Sequence, residues 1–208
     1  MISSGDFDFD KFLEGGYKKG VITGIYGPAS TGKTTLATLC ALECARNHGK
    51  VLYFDTENGF SIERAKQLAK DYDKIMDNIF IFKVKNFYHQ HNKLNQILEM
   101  IKVAKLFIID TIGFYYRNEK KEFVNKRLIE QINKLKFIAK DYNIPILVLN
   151  QVYSDLKGNI KMVGGEIVPN RCECLIELSK NGKRKAKLIK PSSKEFTFEI
   201  LENGISKI

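Results

Sequence analysis

Gly27-Pro28-Ala29-Ser30-Thr31-Gly32-Lys33-Thr34-Thr35 fits the pattern G-x-x-x-x-G-K-[ST], a phosphate-binding loop. A polyphosphate is a dense cluster of negative charge, and the residue types in this stretch answer it. Glycines at 27 and 32 let the backbone curl so that several N–H groups point inward. Lys33 brings a positive charge toward the β- and γ-phosphates, and the Thr34 hydroxyl is placed to ligate Mg²⁺. Pro28, Ala29, Ser30, Thr31 and Thr35 complete the expected cradle for a nucleotide's phosphates. A helix starting here would aim its positive end at the same anion. The flanks supply the required setting. Val21-Ile22-Thr23-Gly24-Ile25-Tyr26 is a β-rich apolar strand, and Leu36, Ala37, Leu39, Cys40, Ala41 and Cys44 follow with helical spacing.

Downstream, short apolar runs end in acids or amides. Val51-Leu52-Tyr53-Phe54 delivers Asp55-Thr56-Glu57, and Leu106-Phe107-Ile108-Ile109 delivers Asp110. Ile144 to Leu149 delivers Asn150-Gln151, with Pro145 harmless at the strand start. Continuous apolar runs of this kind predict parallel strands covered on both faces. Ligands of open α/β sheets bind at the carboxyl ends of such strands. An acid ending a buried strand downstream of a phosphate loop is the Walker B pattern, so Asp110 is the expected partner of Thr34 at Mg²⁺. Between the strands, Gly49 is placed to end the first helix near residue 48, and Ser61 to begin another. A third strand, Ile79 to Phe82, precedes a helix expected to run to about Ala104. His89 and His91 diverge on that helix and are expected to be solvated or capping. After a polar turn at 117–122, Val124, Leu128, Ile132, Leu135 and Ala139 form the inward face of a long amphipathic helix. Lys126, Arg127, Lys134 and Lys140 are expected on its solvated face.

Residues 152–170, with Gly158, Gly164, Gly165 and Pro169, read as a long loop of the functional kind. From Arg171 the pattern changes to antiparallel structure. Cys172 to Leu178 alternates loosely, Asn181-Gly182 is a hairpin turn, and Phe196 to Leu201 leads to Asn203-Gly204. At the other end, Phe7, Phe9, Phe12 and Leu13 suggest a short helix that lids the first strand. The predicted architecture is a single α/β domain over 1–208, with a mostly parallel central sheet flanked by helices and a C-terminal antiparallel meander.

The 208 residues are 44% hydrophobic, enough for one sizeable core, and the formal net charge is +10. A basic protein tends to meet polyanions. Lys180, Lys183, Arg184, Lys185, Lys187, Lys190 and Lys194 fall in a stretch without acids. Two readings stay open there: a phosphate-backbone contact, or lysines guarding an edge strand against self-pairing. Cys40 and Cys44 share a helix face, and Cys172 and Cys174 are expected on one side of a strand. Neither pair has C-x-x-C spacing, so buried reduced thiols are expected rather than zinc. The N-terminus carries no cationic-then-apolar signal and no apolar run is long enough for a membrane. A cytoplasmic protein is expected.

In this order the elements resemble the RecA-type recombinase core, and within it the archaeal RadB proteins, small paralogues of the RadA recombinase. The resemblance runs nearly end to end. It rests on Ile2-Ser3-Ser4-Gly5 through Gly15-Gly16, on Asp55-Thr56-Glu57, on Asp110-Thr111-Ile112 with Tyr116-Arg117, on Asn150-Gln151-Val152 and on Gly164-Gly165. It implies that Glu57 orients or deprotonates the attacking water and that Lys33 contributes to catalysis. It also implies that Gln151 senses the γ-phosphate, making 152–165 a nucleotide-dependent switch. DNA contacts are expected at Arg117, Lys157, Lys161, Lys183, Arg184 and Lys185. The implied cofactors are ATP and Mg²⁺. The implied partners are DNA (single-stranded and branched), a RadA-type recombinase and a Holliday-junction resolvase, with self-association and a nucleoid location also in view. Full recombinases carry an N-terminal helical domain and linker, whereas the first strand here begins by about Val21, and the turn at 117–122 is short. The expectation is an accessory factor that hydrolyses ATP slowly at best. A filament-forming strand-exchange recombinase and a regulatory ATPase or kinase that never meets DNA are the alternatives.

Overall fold

Strands alternate with helices from Ile22 to Ser154 in the computed structural model, which describes residues 1–47, 49–119, 121–154 and 160–208. The helices are α1 (Phe7–Phe12), α2 (Lys33–Asn47), α3 (Ile62–Leu68), α4 (Tyr72–Ile75), α5 (Phe87–Gln96), α6 (Leu98–Ile101) and α7 (Lys121–Asp141). The strands are β1 (Ile22–Gly27), β2 (Lys50–Asp55), β3 (Ile79–Lys83), β4 (Ala104–Asp110), β5 (Ile146–Ser154), β6 (Ile160–Met162), β7 (Cys174–Asn181), β8 (Lys183–Lys190), β9 (Lys194–Leu201) and β10 (Gly204–Lys207).

The sheet order is β10-β9-β8-β7-β1-β5-β4-β2-β3, with β6 pairing β5 off this path. From β3 to β7 the pairs are parallel, and β7 to β10 form the antiparallel meander. This is the mostly parallel sheet and meander that the RecA-type resemblance implies. The register decides where the chemistry gathers. Gly27 lies beside Gln151 and Asp55 beside Asp110, so one sheet edge collects the ends of β1, β2, β4 and β5.

Strict alternation explains the continuous apolar runs. On β5, Leu147 and Leu149 pack under α2 with Leu36 and Cys40, whereas Ile146 and Val148 pack under α7 with Leu128, Ile132 and Leu135. Each of these side chains is buried, and burying one such group fully stabilises by about 1.5–3 kcal/mol. Two cysteines expected on one side part company, because only one of them lies within the strand's alternation. Cys174 joins the α2 cluster from within β7, while Cys172 precedes the strand and joins the α7 cluster. All four thiols are free, and burial pushes Cys44 and Cys172 up to about 12.

Several local expectations change. The N-terminal helix lids the meander rather than β1: the Phe9 ring meets Phe196 at 5.4 Å, and Phe12 meets Phe196 at 5.7 Å. The helix expected to reach Ala104 breaks at Ile97 into α5 and α6, and Ala104 opens β4. His89 does serve the helix start, since its Nδ1 accepts from Lys85 N–H at 3.2 Å while Asn86 caps its own N–H. Residues 152–154 and 160–170 are not plain loop. β5 continues to Ser154, β6 pairs back against it, and Pro169–Arg171 form a 3-10 turn. Gly158 lies outside the described residues.

Candidate functional site

A cleft of about 370 Å³ opens at the sheet edge where Gly27 and Gln151 meet. Ala29, Ser30, Gly32, Lys33, Thr34 and Thr35 form one wall, and Glu57, Asp110, Thr111 and Gln151 form the other. The loop between β1 and α2 needs its glycines. Gly27 has φ +157°, and a Cβ there would run into the Leu178 carbonyl oxygen. Gly32 has φ +109°, and its Cβ would lie 3.0 Å from Ile200. The loop is therefore pressed against the meander, and it leads into the fifteen-residue α2, whose first N–H groups have no partner within the helix.

Lys33 is folded back onto its own loop. Its Nζ donates to the Gly27 carbonyl at 2.8 Å and to the Pro28 carbonyl at 2.7 Å. Burial pulls its pKa down, while Asp110 and Glu57 oppose that shift. The two carbonyls satisfy the ammonium's donors, and an anion in the cleft would be a stronger acceptor than either. Asp110 closes the far side. It is 3% exposed, and burial raises its pKa to about 6 against the hydroxyls of Thr34 and Tyr53, which favour the carboxylate. The Tyr53 hydroxyl donates to Asp110 Oδ2 at 2.8 Å. A buried carboxylate beside a threonine hydroxyl, on a helix that starts in a phosphate loop, is the oxygen donor set suited to a hard divalent cation. Thr34 and Asp110 fit Mg²⁺ on those grounds. Among the described residues no group of three or more His, Cys, Asp or Glu is arranged to hold a metal ion by itself.

Glu57 is held by two neighbours. Thr111 Oγ1 donates to its Oε1 at 2.6 Å, and Gln151 Nε2 donates to both of its oxygens at 2.7 Å. Thr56 pins the base of this arrangement, since its Oγ1 donates to the carbonyls of Asp110 and Thr111 and accepts from Thr111 N–H at 2.7 Å. Behind Gln151, Asn150 Nδ2 donates to the Val163 carbonyl and Val163 N–H donates to the Gln151 carbonyl. The strand bearing Gln151 is thus tied to the segment that follows β6.

The Rad51 family model matches residues 1–208. The chain belongs to the Rad51 family, in its RadB branch. A "DNA repair and recombination protein RadB" of Methanobrevibacter smithii is 36% identical over 214 residues, covering 94% of this chain and 92% of that one. The protein of the same name from Thermococcus sibiricus is 34% identical over 221 residues, covering 100% and 96%. A solved structure titled "Crystal structure of the RadB recombinase" superposes with a TM-score of 0.84 at 31% identity and covers both chains completely.

In this Rad51-family chain Lys33 and Thr34, at the start of α2, line one cleft together with Glu57, Asp110 and Gln151. The expected DNA contacts scatter. Arg117 lies in a groove of about 750 Å³ with Tyr116, Tyr153 and Gly164. Lys161 sits opposite Tyr153 on the β5–β6 hairpin, and Lys183 is exposed at the start of β8. Lys185 pairs with Glu195 at 2.8 Å. Arg184 lines the cleft that holds Lys33 and Glu57. Lys157 lies outside the described residues. Sequence reasoning missed Tyr53, Thr56 and Thr111. Tyr53 had a usable signal: alternation on β2 puts it on the same face as Asp55, under α2. Thr56 and Thr111 had none, because their roles depend on which strand neighbours which. Among the described residues no helix is long and apolar enough to cross a membrane.

Proposed function

We propose that the chain is an ATP- and DNA-binding accessory protein of homologous recombination and DNA repair, assisting a RadA-type recombinase and turning ATP over slowly. The observation that carries this reading is the Gln151–Glu57 pair. Gln151 occupies both oxygens of the carboxylate that would accept a proton from the attacking water. A γ-phosphate entering the cleft offers Gln151 a more negative acceptor. Release of Glu57 then moves the strand whose continuation is the β5–β6 hairpin. That hairpin and the neighbouring turn present Tyr153, Tyr116 and Arg117 around one groove. Aromatic faces and cations in a groove suit a single strand, whose bases stack and whose phosphates pair. Mg²⁺, when bound through Thr34 and Asp110, would neutralise phosphate charge; Lys33 would move from the loop carbonyls to the anion.

The RadB branch supports the recombination role, and the names of the relatives supply repair. The short connection from β4 to α7, a single 3-10 turn at Tyr115–Asn118 before Lys121, supports an accessory protein over a strand-exchange enzyme. A RadA-type recombinase and a junction resolvase are the proposed protein partners, in the cytoplasm at the nucleoid.

The test is fluorescence anisotropy of labelled single-stranded DNA with ATP·Mg²⁺, with ADP and without nucleotide, across a salt series. Salt-sensitive binding that changes with nucleotide, and stops changing in Lys33→Ala, is expected. Binding indifferent to nucleotide would sever the link through Gln151. Absence of binding at low salt would turn the reading to a regulatory ATPase.

A further inference from the structure

Arg184 was expected among the DNA contacts because of its charge, and its strand neighbours set it in the wall of the nucleotide cleft. On β8, Ala186 and Leu188 point into the α2 cluster, and Arg184 shares their parity. Its cross-strand partners are Lys180 on β7 and Phe198 on β9. Phe198 and Ile200 abut Gly32, so this corner of the meander touches the phosphate loop. Arg184 lines the cleft together with Ala29, Lys33, Glu57 and Gln151. Its Nε is enclosed and has no acceptor. Among the described residues no acid forms an ion pair with it. It also stands directly opposite Lys180, and like charges in that relation repel. A half-buried guanidinium with an unmet donor, a cation facing it across the ladder and a phosphate loop beside it calls for a bound anion.

We infer that Arg184 is a phosphate ligand of its own chain's nucleotide cleft, engaging the terminal phosphate of a nucleoside triphosphate. The inference rests on the ATP-binding reading above. The terminal phosphate is assigned because Arg184 shares the cleft with Glu57 and Gln151, the pair that would face the attacking water. The planar fork of arginine can meet two phosphate oxygens at once, and being always charged it needs no proton from the site. The same hairpin carries Lys180 and Lys183, so occupation of the cleft would also fix the position of that basic tip.

The experiment measures affinity for fluorescent ADP and for a non-hydrolysable triphosphate analogue, both with Mg²⁺. It compares wild type, Lys33→Ala, Arg184→Ala and Arg184→Lys, with thermal unfolding of each variant recorded alongside. Arg184→Ala is expected to weaken the triphosphate analogue about 10- to 100-fold, as loss of a charge-assisted contact does, and ADP by less than about 3-fold. Arg184→Lys should fall between, because a point charge replaces a fork. Triphosphate affinity in Arg184→Ala equal to wild type, with Lys33→Ala impaired, would overturn this inference and leave the ATP site standing. Equal losses for both nucleotides would overturn the terminal-phosphate assignment. Failure of wild type to bind either nucleotide would overturn the ATP-binding reading and this inference with it.

Discussion

At the scale of single residues, the cleft pairs its polar groups with one another: Lys33 with its own loop carbonyls, Gln151 with Glu57. The Glu57–Gln151 contact predicts coupling. Glu57→Ala and Gln151→Ala should each slow ATP turnover about 100-fold or more, the scale on which general bases act. The double variant should be no slower than the worse single one, because one unit is being removed twice. Single-turnover hydrolysis of labelled ATP checks this, and additive losses would mean that the two act separately. Glycines give a second contrast. A Cβ at Gly27 meets the Leu178 carbonyl, whereas one at Gly49 meets nothing within 4 Å; both have positive φ, +157° and +98°. Gly49→Ala should cost about 1 kcal/mol, the backbone penalty alone. Gly27→Ala should cost about 3 kcal/mol or more, since backbone must shift as well. Urea titration of both variants measures the difference.

Among elements, α1 shows how a short helix earns its place by aromatic packing. Six residues cannot hold a helix in water, but Asp6 caps it through Phe9 N–H and Phe9 is fully buried against Phe12 and Phe196. Phe9→Ala should therefore destabilise the protein by about 3–5 kcal/mol, read from chemical denaturation. At the far end of α2, Arg46 grips both carboxylate oxygens of Asp71, joining that helix to the start of α4. The guanidinium holds Asp71 down to about 2. A depressed carboxylate adds stability above its ordinary pKa near 4 and loses it as pH falls toward 2. Both partners are over a third exposed, so the gain is small, below about 1 kcal/mol. Asp71→Asn should lower the melting temperature slightly at pH 7 and not at pH 2.

For the whole molecule, the net charge of +10 becomes a statement about salt. Each phosphate neutralised on DNA releases counterions, so log affinity should fall linearly with log salt concentration. Arg117→Ala and Lys183→Ala should each reduce that slope by about 1, while Lys185→Ala, whose charge is paired with Glu195, should change it less. Anisotropy titrations between about 50 and 200 mM salt measure it. The distribution of charge is also where sequence and structure part company. Local pattern determined the loop 27–35, the buried strands, the helix caps at Gly49 and Ser61, and the hairpin at Asn181-Gly182. Each depends on residues close in the chain, whose spacing mirrors turn geometry or the period of a strand or helix. The order of motifs also made the RecA-type core legible, because an acid or amide ending each apolar run marks one edge of a parallel sheet. What the tertiary structure alone decided depends on strand order and register. It set Tyr53 against Asp110, Thr111 and Gln151 against Glu57, α1 against the meander, and Arg184 in one cleft with Lys33. A run of cations in sequence has no faces until its strand alternates between an inside and an outside. Only the folded sheet set Arg184 in the wall of the cleft and left Lys183 exposed.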